Sequence, residues 1–271
     1  KDTSRGLGDV YKRQLFCLNE ISRQKTVTTS QIHPLRWIWI CQLDSRLPCN
    51  TLTHSNCNHF ALMHIDVVPS AHNMEGPIHE HNEAPDGFEW NGAIAYLDRD
   101  GVLNYGSPNY INTPDELVIM PDVKEAVQKL RNSGYKIAIT TNQSAIMRGL
   151  WGEDRIHEIH RKLQQEIGTL DVLMTCPHRN RDRCKCRKPQ PGMHNMASDL
   201  IRGESHSGVN WWKKKPQPIH KLDVMVGDRD SDLGAGWAVG ARLFKVNDEI
   251  GLPEVIDRII NGEPGDDFNP V

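Results

Sequence analysis

The chain has 271 residues, of which 38% are hydrophobic and 25% are charged, and its formal net charge is −3. This size fits one globular domain with extra length, or two small domains. The small negative net charge excludes a strong electrostatic attraction of the whole chain to nucleic acid or anionic membranes. The longest apolar run, near residues 37–41, is far shorter than the roughly 20 residues that a membrane-spanning helix needs. We therefore expect a cytoplasmic monomer without a nucleic-acid or membrane partner.

The region before residue 74 differs in composition from the rest of the chain. It contains five acidic residues against eight Lys or Arg, and it shows no sustained helical or strand period. Four of its cysteines and histidines could be interpreted as a metal cluster, but they lack the tight spacing of a common metal site: Cys49, His54, Cys57 and His59. We interpret this region as a non-native or disordered extension, with a transit peptide as the alternative. The predicted organisation is an extension at 1–73, a linker at 74–90, a domain at 91–262 and a tail at 263–271.

After residue 90, short apolar runs alternate with helical patterns. From Glu153 onward, for example, apolar residues recur at spacings of three and four, which is typical of an amphipathic helix. In chain order we predict a strand at 93–97, a helix at 121–131, a strand at 136–140, a helix at 153–167, a strand at 172–175, a helix at 193–201, and strands at 224–226 and 241–246. This alternation predicts an α/β fold with a Rossmann-like, doubly wound parallel sheet. Ligands bind such sheets beyond the carboxyl ends of the strands.

Carboxylates follow two of these predicted strands. Asp98 and Asp100 come directly after the first strand, and three more lie just past the fourth: Asp228, Asp230 and Asp232. Carboxylates that converge at one edge of a sheet repel one another unless a cation lies between them, and Mg²⁺ prefers oxygen ligands. One carboxylate can then attack phosphorus while a second protonates the leaving oxygen. Turn or helix-capping roles are the alternative for these residues.

A second candidate metal site lies in the sequence CPHRNRDRCKCRKP, residues 176–189. It contains four side chains of the types that bind tetrahedral zinc: Cys176, His178, Cys184 and Cys186. The five residues between the two ligand pairs are too few for the recognition helix of a nucleic-acid zinc module. Because all four ligand positions are filled by protein, we predict a structural zinc that positions the following residues, Arg187 and Lys188.

Four short motifs occur in order along the chain: DRDGVLN (98–104), TTNQS (140–144), CRKPQPGM (186–193) and VGDRDSD (226–232). With the Cys/His loop, they resemble the haloacid dehalogenase superfamily of phosphatases, and within it the heptose bisphosphate phosphatase and histidinol-phosphatase branch. The resemblance covers about residues 93–246. It implies a haloacid dehalogenase-like sheet, catalytic Mg²⁺, structural Zn²⁺ and phosphomonoester hydrolysis through an aspartyl-phosphate. The large cap domain of the superfamily is missing, and only residues 105–114 are placed to form a small flap.

The resemblance also implies a role for each matching residue. The implied catalytic residues are Asp98 as nucleophile, Asp100 as general acid and then base, Thr141 as a phosphoryl ligand, and Lys188, which neutralises the phosphoryl group. The implied substrate-binding residues are Asn142, Gln143, Ser144, Arg187 and Arg229. The implied Mg²⁺ ligands are Asp98, Asp100 through its backbone carbonyl, and Asp228, with Asp232 supporting Lys188.

The implied substrate is a small phosphorylated sugar, with one phosphate removed as in D-glycero-D-manno-heptose 1,7-bisphosphate 7-phosphatases. The guanidinium groups of Arg148, Arg187 and Arg229 suit a second phosphate better than the cationic histidinol phosphate. From this charge pattern we expect a preference for the 1,7-bisphosphate, and we expect the anomeric phosphate to be the one that is lost. The enzymatic alternatives are histidinol-phosphate hydrolysis and 3′-phosphatase activity on nucleic-acid ends. The non-enzymatic alternative is an inactive, zinc-stabilised binding module. Residues 203–220 lengthen the segment before the last motif, and we expect a local loop that packs their two adjacent tryptophans.

Overall fold

The computed structural model describes residues 76–203 and 214–270, together with the backbone of two short strands nearer the N-terminus. The chain divides into two units, Lys1–Ile65 and Asp66–Val271. The first unit contains an antiparallel pair of two-residue strands, β1 (Ile40–Cys41) and β2 (Phe60–Ala61). Apart from these two strands, three parts of the sequence analysis concern residues outside the described ranges. They are the extension at 1–73, the scattered Cys and His residues within it, and the loop expected at residues 204–213 of the lengthened segment.

In the second unit, strands and helices alternate along the chain. The strands are β3 (Ile78–His81), β4 (Ile94–Leu97), β5 (Lys136–Asn142), β6 (Val172–Cys176), β7 (Val224–Gly227) and β8 (Arg242–Lys245). The helices are α1 (Val123–Asn132), α2 (Glu153–Ile167), α3 (Gly192–Arg202), α4 (Asp230–Ala238) and α5 (Ile256–Ile260). Within the described ranges, no helix is both long and apolar enough to cross a membrane.

The six strands form one sheet in the order β3-β6-β5-β4-β7-β8. The strands from β4 to β8 are parallel, and β3 joins the edge antiparallel to β6. Successive strand residues face two separate apolar clusters: Leu97 belongs to the cluster with α1, α2 and α5, whereas Tyr96 belongs to the cluster with α3 and α4. Helices therefore cover both faces of the sheet, as predicted for a doubly wound fold.

The edge strand β3 lies within the stretch interpreted as a linker, and this part of the sequence analysis is corrected. Its sequence, IHEH, is too short and polar to show an alternating pattern. Tertiary contacts hold it instead: Ile78 packs into a small apolar cluster, and Glu80 Oε1 lies 2.6 Å from His160 Nδ1 and 3.0 Å from His157 Nδ1 on α2. An element stabilised by partners so distant in the chain leaves little local signal.

Helices α4 and α5 have no counterpart among the predicted elements. The α4 sequence, DSDLGAGWA, contains two glycines and is buried on most sides, so it shows no amphipathic period. A Cβ on Gly236 would lie 2.3 Å from Met225 Cβ on β7, and the glycine therefore permits close contact between helix and strand. The predicted tail also packs on the sheet, because the Asp266 N–H donates to the Leu243 carbonyl of β8 at 2.6 Å.

A buried histidine on α3 gives this unit an expected sensitivity to acid. His194 is fully buried, with Nε2 3.1 Å from Met225 Sδ and its ring centroid 4.8 Å from that of Tyr96. Burial, assisted by the charge of Lys188, lowers the pKa of His194 to about 3. The pKa of an unfolded histidine is about 6.5. The neutral ring therefore stabilises the fold above pH 6.5, and this contribution is lost as the pH falls toward 3.

We expect His194→Leu to reduce the pH dependence of the free energy of unfolding. Between pH 6.5 and pH 5, the wild-type chain should lose about 2 kcal/mol through this group, and the variant should not. Urea denaturation at both pH values measures the difference. The exposed His79 on β3 offers a matched control, His79→Leu, which should keep the wild-type pH dependence. An equally steep loss of stability in His194→Leu would contradict the prediction.

Candidate active site

The carboxyl ends of three neighbouring strands bring the predicted polar residues together. Asp98 directly follows β4, Thr141 lies near the end of β5, and Asp228 directly follows β7. Strand β4 lies between β5 and β7 in the sheet. The three residues therefore share one edge of the sheet, where ligands bind in folds of this class.

Lys188 reaches this edge from the loop that precedes α3. Its Nζ lies 2.9 Å from Asp98 Oδ1 and 2.7 Å from Asp232 Oδ1, and the residue is only 3% exposed. The Lys188 backbone is held on both sides by the Asn142 side chain, which accepts its N–H at 3.1 Å and donates to its carbonyl at 3.2 Å. Asn142 thus fixes the lysine, a role that its predicted place in substrate binding does not include.

The burial of these charges shifts their pKa values. Burial raises the pKa of Asp98 to about 7, with Asp232 and Asp100 adding to the rise and Lys188 opposing it. Burial likewise raises the pKa of Asp228, next to the Asp232 carboxylate. Burial acts against the charged form of Lys188, but the carboxylates of Asp232 and Asp98 outweigh it and raise the pKa of the lysine. Negative charge is therefore in excess at this edge.

The excess negative charge fits a divalent cation with oxygen ligands. Oxygen atoms of Asp98, Asp228 and Asp232 all lie within 4.8 Å of one another, and Asp228 Oδ1 is buried without a hydrogen-bond partner. Gly101, at φ +84°, allows this convergence, because a Cβ there would lie 2.7 Å from Asp228 Cγ. Such a set of carboxylates is the donor type that Mg²⁺ prefers.

Asp100 lies in a separate cage of hydrogen bonds. Arg99 donates to both of its carboxylate oxygens at 3.0 Å, Asn104 donates to Oδ1 at 2.9 Å, and Gln143 donates to Oδ2 at 2.8 Å. Burial alone raises the pKa of Asp100, but Arg99 and these hydrogen bonds outweigh it and lower the pKa. Arg99 and Asn104 are not among the predicted site residues, although both belong to the DRDGVLN motif.

The remaining predicted substrate-binding residues differ in their surroundings. Gln143 also donates to Thr141 Oγ1 at 2.8 Å, and Ser144 is buried next to it. Arg187 Nη1 donates to the His178 carbonyl at 3.0 Å, so its side chain lies on the Cys/His loop. The Arg229 side chain is 72% exposed and lies 3.3 Å from Asp228 Oδ2. Of the two arginines, Arg229 has the more accessible guanidinium beside the carboxylates.

The four side chains of the Cys/His loop converge on one point. The Sγ atoms of Cys176, Cys184 and Cys186 lie 3.4 to 3.6 Å apart, and His178 Nδ1 lies 3.2 Å from Cys186 Sγ. Around a zinc ion with bonds of about 2.3 Å, tetrahedral ligand atoms are separated by roughly 3.8 Å, so the cluster fits zinc. The Arg187 N–H donates to Cys184 Sγ at 3.3 Å. This contact connects the cluster to the segment that carries Lys188.

Comparison with known proteins gives the family. Residues 94–214 match the family model described as polynucleotide kinase 3 phosphatase. The D-glycero-beta-D-manno-heptose-1,7-bisphosphate 7-phosphatase of Pseudomonas aeruginosa is 35% identical over 151 residues, which cover 54% of this chain and 76% of that protein. The chain belongs to the heptose bisphosphate phosphatase family of the haloacid dehalogenase superfamily. It is therefore a phosphatase.

Two further matches support this membership and the fold. The D-glycero-alpha-D-manno-heptose-1,7-bisphosphate 7-phosphatase of Mycobacterium bovis is 31% identical over 160 residues, which cover 57% of this chain and 75% of that protein. A crystal structure of D,D-heptose 1,7-bisphosphate phosphatase from Bordetella bronchiseptica, complexed with magnesium and phosphate, covers 62% of this chain and 98% of its own, with 25% identity and a TM-score of 0.52. The predicted haloacid dehalogenase-like α/β fold is confirmed.

Proposed function

We propose that the chain is a Mg²⁺-dependent phosphatase that removes the 7-phosphate from a heptose 1,7-bisphosphate. The observation that carries this proposal is the contact of Lys188 Nζ with Asp98, beside Asp228, at the carboxyl edge of the sheet. This arrangement suits transfer of a phosphoryl group to Asp98. The names of the relatives specify position 7, so the sequence-based expectation that the anomeric phosphate is lost is withdrawn.

Asp98 is the nucleophile in this proposal. Its carboxylate oxygen forms a bond to phosphorus as the bond from phosphorus to the sugar oxygen breaks, which leaves an aspartyl-phosphate and a sugar alkoxide. Asp100 gives the alkoxide a proton. Against the effect of burial, Arg99 lowers the pKa of Asp100 in the free chain, and the negative charge of a bound phosphate acts in the opposite direction to Arg99, so that Asp100 holds this proton in the complex. Asp100 later removes a proton from water, whose oxygen attacks phosphorus as the bond from phosphorus to the Asp98 oxygen breaks, which releases phosphate and restores the Asp98 carboxylate. Lys188 orients Asp98 and offsets the charge on the phosphoryl oxygens, and Thr141 donates a hydrogen bond to them.

Two metals have separate places in the proposal. Asp98, Asp228 and the Asp100 backbone carbonyl would hold Mg²⁺, which supplies positive charge opposite the phosphoryl oxygens when it is bound. The Cys/His loop would hold Zn²⁺ away from the reacting atoms, with all four coordination positions filled by the chain. The loop continues directly into Arg187 and Lys188, so its shape decides where the lysine lies.

A comparison of substrates tests the proposed function. Exposed guanidinium groups such as those of Arg148 and Arg229 attract a second phosphate and repel the cationic end of histidinol phosphate. We expect kcat/KM to be at least about tenfold higher for heptose 1,7-bisphosphate than for histidinol phosphate, a difference of about 1.4 kcal/mol in transition-state binding. Both anomers belong in the assay, because the relatives include a beta and an alpha enzyme.

Phosphorus NMR of the product identifies which phosphate is lost, and we expect the sugar 1-phosphate to remain. A 3′-phosphorylated oligonucleotide belongs in the same panel, because the matched family model has a nucleic-acid 3-phosphatase description. Faster hydrolysis of histidinol phosphate or of the oligonucleotide would replace the proposed substrate with that alternative. Release of phosphate from position 1 would contradict the proposed site of cleavage.

A further inference from the structure

Residues 105–114 form a short flap at the border of the active site. The flap begins directly after Asn104, which donates to Asp100. Gly106 lies against the same carboxylate residue, since a Cβ on this glycine would be 4.0 Å from Asp100 Cβ. The flap is therefore placed to contact a substrate whose reacting phosphate lies beside Asp98.

Tyr110 joins the flap to the chain that follows β5. The hydroxyl oxygens of Tyr110 and Ser144 are 3.1 Å apart, and Arg148 Nε donates to the same Ser144 oxygen at 3.4 Å. One serine hydroxyl can serve both groups, because it has one proton and two lone pairs. Ser144 is adjacent to Gln143, whose side-chain amide donates to Asp100. The contact thus links the flap, the exposed Arg148 and the hydrogen bonds that surround Asp100, which we call the carboxylate cage.

Two further features hold Tyr110 in this position. Trp151 Nε1 donates to Asn112 Oδ1 at 3.1 Å, and Ile111 is buried in the core. Tyr110 itself has φ 67°, a left-handed conformation that is unfavourable for a non-glycine residue. Such a conformation persists where the surrounding contacts determine it. The flap is therefore attached at two points to the segment between β5 and α2, which contains Ser144 and Trp151.

We propose that Tyr110 is a positioning residue that sets the specificity of the phosphatase for bisphosphates. Through the Ser144 hydroxyl, it fixes the flap and the guanidinium of Arg148 relative to the carboxylate cage. A guanidinium so placed suits the phosphate that is not hydrolysed, because it binds phosphate with two parallel hydrogen bonds. Ser144 then acts through Tyr110 and Arg148 and is not a direct ligand of the substrate. The inference rests on the bisphosphate substrate proposed above.

A double-mutant cycle tests whether the two hydroxyls act through one contact. We expect Tyr110→Phe and Ser144→Ala each to lower kcat/KM for heptose 1,7-bisphosphate about tenfold, mainly through KM, because each removes the same hydrogen bond. The double variant should be no slower than Ser144→Ala alone. With p-nitrophenyl phosphate, which has no second phosphate, kcat/KM of Tyr110→Phe should change by less than about twofold.

The structure also supplies controls for this cycle. Tyr135 has a hydroxyl that accepts from Arg242 Nη2 at 2.9 Å, within the fold and outside the active site, so Tyr135→Phe should leave kcat/KM unchanged. Trp151→Phe removes the second attachment of the flap and should also raise KM for the bisphosphate. If Tyr110→Phe does not fold, this variant provides the test.

Three outcomes would overturn the role of Tyr110. Additive losses in the cycle would show that Ser144 binds the substrate directly. Equal losses with p-nitrophenyl phosphate would show general damage to the site, and unchanged kinetics in an active enzyme would show that the contact has no role. By contrast, a wild-type chain that hydrolyses p-nitrophenyl phosphate and not the bisphosphate would contradict the proposed substrate itself, and with it the bisphosphate specificity assigned to Tyr110.

Discussion

Asp98→Asn is expected to abolish phosphatase activity, with a loss of at least about 10³-fold in kcat, because an amide cannot form the acyl phosphate that a carboxylate forms. The site geometry supports this expectation: Asp98 is 7% exposed, and one of its oxygens lies 2.9 Å from Lys188 Nζ. Steady-state assays with a sugar phosphate and with p-nitrophenyl phosphate measure the loss. Acid quenching of the wild-type reaction with radiolabelled substrate should trap labelled protein, and the variant should give none.

The fold should survive this substitution. Burial raises the pKa of Asp98, which means that the folded, metal-free chain disfavours its ionised form, and a neutral amide of similar shape removes that cost. The melting temperature of metal-free Asp98→Asn should therefore equal or exceed that of the wild type. Asp230→Asn is the matched control, because the Asp230 side chain follows strand β7 near Asp228 but is 76% exposed and pairs with the exposed Lys245. It should keep activity within about twofold of the wild type.

Retention of more than a tenth of the wild-type rate in Asp98→Asn would remove Asp98 from the nucleophile's role. Against the effect of burial, Arg99 and hydrogen bonds lower the pKa of Asp100, so the two carboxylates have different environments. The same trapping experiment can therefore also compare their roles. If an Asp100→Asn variant traps labelled protein that the Asp98→Asn variant does not, the two carboxylates have the different roles proposed for them. If neither variant traps it and both stay active, the aspartyl-phosphate pathway fails.

The sequence predicts the sheet and the strand-end carboxylates well, for a local reason. The parallel strands are buried on both faces and appear as short apolar runs, and the polar residue that ends each run marks the carboxyl edge. Asp98 and Asp228 are found at this edge by pattern alone. Helix α2 is found with its observed bounds, Glu153–Ile167, because one of its faces is regularly apolar.

Contacts between residues distant in the chain are not predictable in this way. Ser144 bonds to Tyr110, 34 positions earlier, and Asn142 holds the backbone of Lys188, 46 positions later. In both cases the motif predicts a residue near the phosphate. Only the fold shows which other residue of the protein is its hydrogen-bond partner. The edge strand β3 illustrates the same limit, since the partners of Glu80 lie on α2.

We expect the Cys/His loop to bind zinc, and we expect Cys184→Ser to prevent this binding and to lower both stability and activity. The Cys184 Sγ lies 3.4 and 3.6 Å from two other sulfurs of the cluster and accepts the N–H of Arg187. Loss of a structural zinc from a domain of this size should lower the melting temperature by about 10 °C. Lys188 follows the loop closely, so kcat should also fall at temperatures where the variant remains folded.

The neighbouring exposed residue Lys185 provides the control for this variant. Lys185→Ala changes the same loop without touching a ligand, and it should keep the zinc content, the melting temperature and kcat of the wild type. Metal analysis by mass spectrometry should find one zinc per wild-type chain and almost none in Cys184→Ser. A wild-type preparation that is fully active without zinc would contradict the structural role of the loop.

Chelation should separate the two metals, because their ligands differ in kind and in access. The carboxylate site includes the half-buried Asp228 and offers oxygen atoms, which exchange Mg²⁺ readily. The Cys/His loop would surround a zinc ion with four side chains, and zinc held by thiolates dissociates slowly under mild conditions. Brief treatment with EDTA should therefore abolish activity that Mg²⁺ alone restores, with the melting temperature almost unchanged. If restoration required Zn²⁺ as well, or if Zn²⁺ alone sufficed, the assignment of catalysis to the carboxylate site and of structure to the Cys/His loop would be wrong.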